Sequence, residues 1–101
     1  MTFQEIRHYT TRPGRRDEWL AYMDGTVIPF MIEKGMDVRG SFTDEEDPDG
    51  YVWIRPFADE QERKTLYAAV YESEEWKEKI GPVVYSLLEV EQSVVYRVAP
   101  T

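Results

Sequence analysis

Two short stretches carry the residues best suited to chemistry. Glu5, Arg7 and Tyr9 fall at every second position near the start, and Tyr51, Trp53 and Arg55 do the same in mid-chain. In a β-strand a period of two puts such a triplet on one face, so all six can share one surface. A guanidinium among aromatic rings can hold a carboxylate, enolate or phenolate while tryptophan and tyrosine rings stack on a planar body. Arg7, Tyr9, Tyr51, Trp53 and Arg55 are therefore the expected ligand-binding set, with no residue assigned to catalysis. The same residues admit a purely structural role. Glu5 can pair with Arg7 or Arg55 as a buried ion pair packed between aromatic side chains.

The other candidates carry less. His8 is the single histidine and falls on the opposite side of its strand from Arg7. A packed or half-exposed imidazole is expected there, rather than a general base or a haem ligand. The acidic run from Asp44 to Gly50 offers carboxylates to calcium, but it lacks the spacing and terminal glutamate of a twelve-residue loop site. A solvated hairpin turn is expected, and no metal. Trp19, Met23, Val27, Phe30 and Met31 recur at helical spacing and read as core, with Trp19 or Phe30 free to wall a pocket. Tyr67, Tyr71 and Trp76 read as core, cavity wall or dimer contact. There is no nucleophile elbow, phosphate loop, zinc signature or dinucleotide fingerprint, and no cofactor is expected.

At 101 residues the chain has room for one domain, 1–101, with one core. It has no cysteine, so neither disulfides nor thiolate metal sites can form. Twenty acidic residues against 12 basic ones give a net charge of −8, which disfavours nucleic acid and anionic membrane surfaces as partners. No apolar run is long enough to span a bilayer. Met1 to Glu5 show neither the basic nor the apolar region of a secretory signal, so a cytoplasmic location is expected.

The elements that must position these residues follow from periodicity. Alternation predicts a strand from Phe3 to Thr11, broken by Pro13-Gly14. A helix follows, which Pro29 should kink or interrupt and Gly35 should close. A strand from Met36 to Thr43, the acidic turn and a strand from Tyr51 to Phe57 form a hairpin. Asp59 with Glu62 three residues on predicts a helix start, with Leu66, Ala69, Val70 and Tyr67 turned inward. Ser73 suits a fresh cap for a turn carrying Trp76 and Ile80. Residues 81–88 fit either helix or extended chain, and Glu89 to Ala99 reads as the last strand. The order is βαββαβ, an α+β, ferredoxin-like arrangement. Right-handed crossovers put the first and third strands at the centre of a four-stranded antiparallel sheet, with both helices on one face. The central strands carry large apolar groups on both faces: Ile6, Val52 and Ile54 on one, Phe3, Tyr9, Tyr51, Trp53 and Phe57 on the other. One of these faces is left bare by the helices, so a homodimer joined face to face is expected.

Several segments also resemble one family. Glu5-Ile6-Arg7-His8-Tyr9-Thr10 followed by Arg12-Pro13-Gly14 is similar to the E-x-R-x-Y-x-x-x-P-G opening of NIPSNAP-like domains. Pro29 to Gly35, Gly40, Val52 to Phe57, Glu60 to Arg63 and Glu75-Trp76 resemble later features of that family, in order and across nearly the whole chain. The usual proline before the late tryptophan is absent. The resemblance implies a dimeric α/β barrel. Together with the shared face, the leading expectation is a homodimer that binds a small planar or hydrophobic molecule beside the central strands, with Arg7 and Arg55 anchoring its negative or carbonyl end. The alternatives are a cofactor-independent monooxygenase acting on a phenolic or enolisable substrate, a chemistry found in the wider superfamily that the resemblance implies, or a non-enzymatic structural dimer in which the polar cluster only keys the dimer.

Overall fold

The structure is a computed structural model that describes residues 2–101. Met1, part of the N-terminal reading above, lies outside the described residues. Four strands, β1 (Phe3–Thr10), β2 (Gly40–Thr43), β3 (Gly50–Phe57) and β4 (Val94–Val98), form one antiparallel sheet in the order β2-β3-β1-β4. This is the α+β, ferredoxin-like arrangement expected. Register decides what the sheet brings together. Glu5 lies opposite Arg55, Arg7 opposite Trp53, and Tyr9 opposite Tyr51. The two chemically loaded triplets are thus cross-strand neighbours on one face.

That face is the one the helices cover. Trp19, on α1 (Arg16–Tyr22), packs edge-on against Tyr9 and Tyr51, with ring centroids 6.1 and 5.8 Å apart. Tyr67 and Tyr71, on α3 (Glu60–Tyr71), sit over Arg7 and Arg55. The opposite face stays open. Phe42, Val94, Tyr96 and Val98 are exposed there, beside half-buried Ile6, Val52 and Ile54.

Pro29 neither kinks the first helix apart nor ends it. Directly before it, Met23–Val27 widen into a π-helical turn, in which the Ile28 N–H donates to the Met23 carbonyl five residues back. The helix then continues as α2 (Ile28–Glu33), with proline in its first turn, where its missing N–H costs least. The device recurs before Pro82. A π turn over Trp76–Ile80 ends with the Gly81 N–H on the Trp76 carbonyl, and α4 (Gly81–Leu87) carries on from it. Residues 81–87 are therefore helical, which settles the choice that periodicity left open. A Cβ on Gly81 would lie 2.9 Å from the Trp76 carbonyl oxygen, so this position admits only glycine without a shift of backbone.

The caps behave as their residues suggest. Gly35, at φ 96°, closes α2, with Met36 N–H donating back to the Met31 carbonyl. Met36 is thereby taken from the ladder, and β2 starts at Gly40 instead of Met36. Ser73 Oγ accepts from the Trp76 N–H at 3.1 Å. Glu89 to Gln92 alternate like a strand, but Val90–Gln92 form a 3₁₀ turn and β4 begins only at Val94. The reason is upstream. Leu88 bridges Thr11 and the Glu89 N–H donates to Thr10, so the chain must turn before it can run alongside β1.

The Asp59 carboxylate accepts from the Glu62 N–H at 2.8 Å, and Glu62 reaches back to the Ala58 N–H. Asp59→Ala is expected to cost about 1 kcal/mol through loss of this cap, read as a shift of the urea midpoint at unchanged slope. A midpoint equal to wild type would show that the cap contributes nothing.

Candidate functional site

The polar residues of the covered face form a knot centred on Glu5. Its carboxylate is buried at 2 % exposure, yet it accepts from Arg63 at 2.8 Å, from Tyr67 at 2.5 Å, and from Arg7 and Arg55 at 3.4 Å each. Burial raises the pKa of Glu5, but the Tyr67 hydroxyl and the arginines outweigh it, so the carboxyl stays below its ordinary value. Arg55 has no exposed surface. It donates to the Tyr67 and Tyr71 hydroxyls at 2.9 and 2.7 Å and stacks over the Trp53 ring at 4.4 Å. Tyr67 is saturated, accepting from Arg7 and Arg55 and donating to Glu5.

Beside the knot lies a cavity of about 270 Å³. Its inner wall is Arg7, Tyr9, Trp53 and Trp19, and its floor includes Tyr67 and Tyr71. Met23 and Val27 come from the first π turn, and Trp76 from the second. Both widened turns therefore aim side chains at this space, and such turns are frequent at functional sites. Tyr85, Val90 and Ser93 also line it, and the exposure of Tyr85 and Val90 marks the mouth. The volume sits just below the roughly 300–1,000 Å³ usual for ligand pockets, which limits an occupant to one or two rings.

Three of the five expected ligand-binding residues, Arg7, Tyr9 and Trp53, line this cavity. Tyr51 and Arg55 do not. Tyr51 is fully buried, shares a 2.6 Å hydrogen bond with Ser41 and packs on Trp19; burial pushes its hydroxyl up to about 12. Arg55 lies in the knot behind the wall, where the structural role of an ion pair with Glu5 is realised.

A model of the NIPSNAP family matches residues 4–101. The chain belongs to the NIPSNAP family. Solved structures agree on the fold. A NIPSNAP family protein from Agrobacterium tumefaciens is 22% identical, with 100% of this chain and 94% of that one covered at a TM-score of 0.88. A second NIPSNAP family protein from the same organism, described as having unknown function, is 23% identical, with 99% and 88% covered at 0.87. An uncharacterised NIPSNAP-like domain protein from Burkholderia xenovorans is 20% identical, with 99% and 85% covered at 0.87. No curated protein matches the sequence.

Two features of this NIPSNAP chain complete the picture. Arg63, Tyr67 and Tyr71 reach the knot from α3 at spacings of four, a stripe on one helix face that periodicity could have singled out. On the open face His8 is half-buried and lies 3.0 Å from Asp44, and with Asp47 their ligand atoms fall within 4.8 Å of one another. The acidic turn already satisfies these groups. Asp44 and Asp47 accept from the N–H groups of Glu46 and Asp49, and the Arg16 guanidinium donates to the carbonyls of Asp44, Asp47 and Gly50. Arg16 thus braces the backbone of the turn, and the carboxylates cap its N–H groups. Among the described residues no helix is long and apolar enough to cross a membrane.

Proposed function

We propose that this NIPSNAP protein is a cytoplasmic homodimer that binds one small, planar, largely apolar molecule in the cavity between helices and sheet. The observation that carries this reading is the composition of the wall. All three tryptophans of the chain, Trp19, Trp53 and Trp76, border one space of about 270 Å³, together with a single charged side chain, Arg7. Close packing would ordinarily fill such a space, because an unfilled cavity costs free energy in proportion to its volume. Here side chains from two π turns border it instead, and in the wall behind it the indole N–H groups of Trp19 and Trp53 are buried without a partner among the described residues. Each unmet buried donor costs about 1–3 kcal/mol. A wall that gives up stability in this way fits a role in binding.

Calorimetric titration with 2-naphthamide, a neutral planar probe, tests the reading. Saturable binding at one site per chain is expected. Val84→Trp, which places an indole in the cavity, should lower affinity by about tenfold or more. No binding to wild type of either 2-naphthamide or the corresponding acid, or binding undiminished in a folded Val84→Trp protein, would overturn it.

A further inference from the structure

The charge and hydrogen-bond inventory around the cavity goes further than its shape. The carboxylate of Glu5 faces Arg7, Arg55 and Arg63, and Glu60, which also pairs with Arg63, takes one further cation among the described residues, Arg97, at 2.6 Å. Four guanidiniums therefore meet two carboxylates, in a protein whose net charge is −8. The excess is positive, and it is deepest where Arg55 is wholly buried and the Arg7 side chain is 18% exposed. Arg7 is the part of this cluster that borders the cavity. Among the described residues lining that space there is no carboxylate, lysine or histidine.

Hydrogen bonding points the same way. Three of the five N–H bonds of Arg7 go to Glu5, Tyr9 and Tyr67, which leaves two. The Tyr9 hydroxyl accepts from Arg7 at 3.1 Å, and the Tyr71 hydroxyl accepts from Arg55 at 2.7 Å. Each keeps its own proton, for which no acceptor is present among the described residues. Burial pushes the Tyr71 hydroxyl up to about 12, so it remains a donor at neutral pH. The side chains at this end of the cavity thus offer donors and a guanidinium that shares its counter-charge, Glu5, with Arg55 and Arg63. A largely buried charge that is only partly balanced is costly, and an anion delivered by a ligand relieves that cost.

We infer that the natural ligand class is the planar monoanion: an aromatic or conjugated acid whose carboxylate, or equivalent oxyanion, meets Arg7, Tyr9 and Tyr71 while its apolar body lies among Trp19, Trp53 and Trp76. The inference rests on the cavity being a binding site, as proposed above. It separates ligands by charge: neutral isosteres bind more weakly, and arylmethylamines, cationic at neutral pH, are rejected.

The test is a matched pair, 2-naphthoate and 2-naphthamide, titrated calorimetrically at neutral pH into wild type, Arg7→Met and Arg7→Lys. Wild type should bind the acid at least about tenfold more tightly than the amide, since a charge-assisted bond to a desolvated guanidinium is worth about 1.4 kcal/mol or more. Arg7→Met should bring the ratio close to one, and Arg7→Lys, which keeps the charge, should retain part of it. Equal affinities in wild type would overturn the anion inference while leaving the cavity reading intact. So would a preference for the acid that survives in Arg7→Met. If neither probe binds wild type, the cavity reading itself fails, and the inference with it. Should Arg7→Met not fold, the wild-type ratio and the Arg7→Lys ratio still decide between these outcomes.

Discussion

Glu5→Gln is expected to destabilise the protein by about 3–5 kcal/mol, the usual cost of removing one partner from a buried charge cluster. The magnitude follows from what is left behind. Arg55, with no exposure, and Arg7, largely covered, both lose their counter-charge, and among the described residues no other carboxylate contacts either of them. Arg55→Met should cost less on its own, because Glu5 keeps Arg7 and Arg63. In the double variant Glu5→Gln with Arg55→Met, much of the loss should return, since the most deeply buried orphaned cation is gone. Denaturant melts of the four proteins form a double-mutant cycle, and a coupling near zero would mean the pair does not interact. The pH dependence has a definite sign. Glu5 is held below its ordinary pKa in the fold, so its contribution is present above the unfolded value near 4.5 and fades as pH falls through the lower, folded value. Wild type should therefore lose stability below about pH 4.5 more steeply than Glu5→Gln, in which that titration is absent.

The second large effect concerns the open face of the sheet. Phe42 and Tyr96, 53% and 60% exposed, flank Ile6, Val52 and Ile54 in a continuous apolar surface with Val94 and Val98. A second copy laid face to face would bury this surface under a two-fold axis, and the area is too apolar to stay in water. Sedimentation equilibrium at micromolar concentration should return the dimer mass. Tyr96→Asp should weaken association by roughly thirtyfold, about 2 kcal/mol, while leaving the covered face and its knot intact. A wild-type monomer whose mass does not vary with concentration would retire the dimer, and with it the barrel that two such sheets would build.

How much of this was legible in the sequence can be judged residue by residue. Strand periodicity found the face shared by Glu5, Arg7, Tyr9, Tyr51, Trp53 and Arg55, because a period of two is a strict rule and both strands obey it. It gave no depth along the strand. Arg7 and Trp53, directly opposite each other, border the cavity, whereas Arg55 and Tyr51 lie behind the wall at either side. That distinction depends on where α1, α3 and α4 cross the sheet, which alternation does not encode. Pro29 was a true local signal with a misread consequence: a proline forbids one hydrogen bond, and a π turn ahead of it removes the need for that bond. The same local solution before Pro82 explains why residues 81–88 read ambiguously. The over-long last strand came from Glu89, Val90 and Glu91 alternating by chance, while tertiary pairing of Leu88 with Thr11 fixed a turn there. Arg63 went unassigned because its partner Glu5 is 58 residues away.

Ligand binding in the tryptophan-lined space is read directly by the indole N–H resonances of the protein. Trp19, Trp53 and Trp76 all border the cavity, so a ¹H–¹⁵N spectrum carries one cavity-wall indole signal for each of them. Titration with 2-naphthoate should move all three signals along a single saturable curve at one ligand per chain, with backbone signals of Phe42 and Tyr96 on the open face unchanged. Indole signals that stay fixed at saturating ligand, or shifts confined to the open face, would contradict the site.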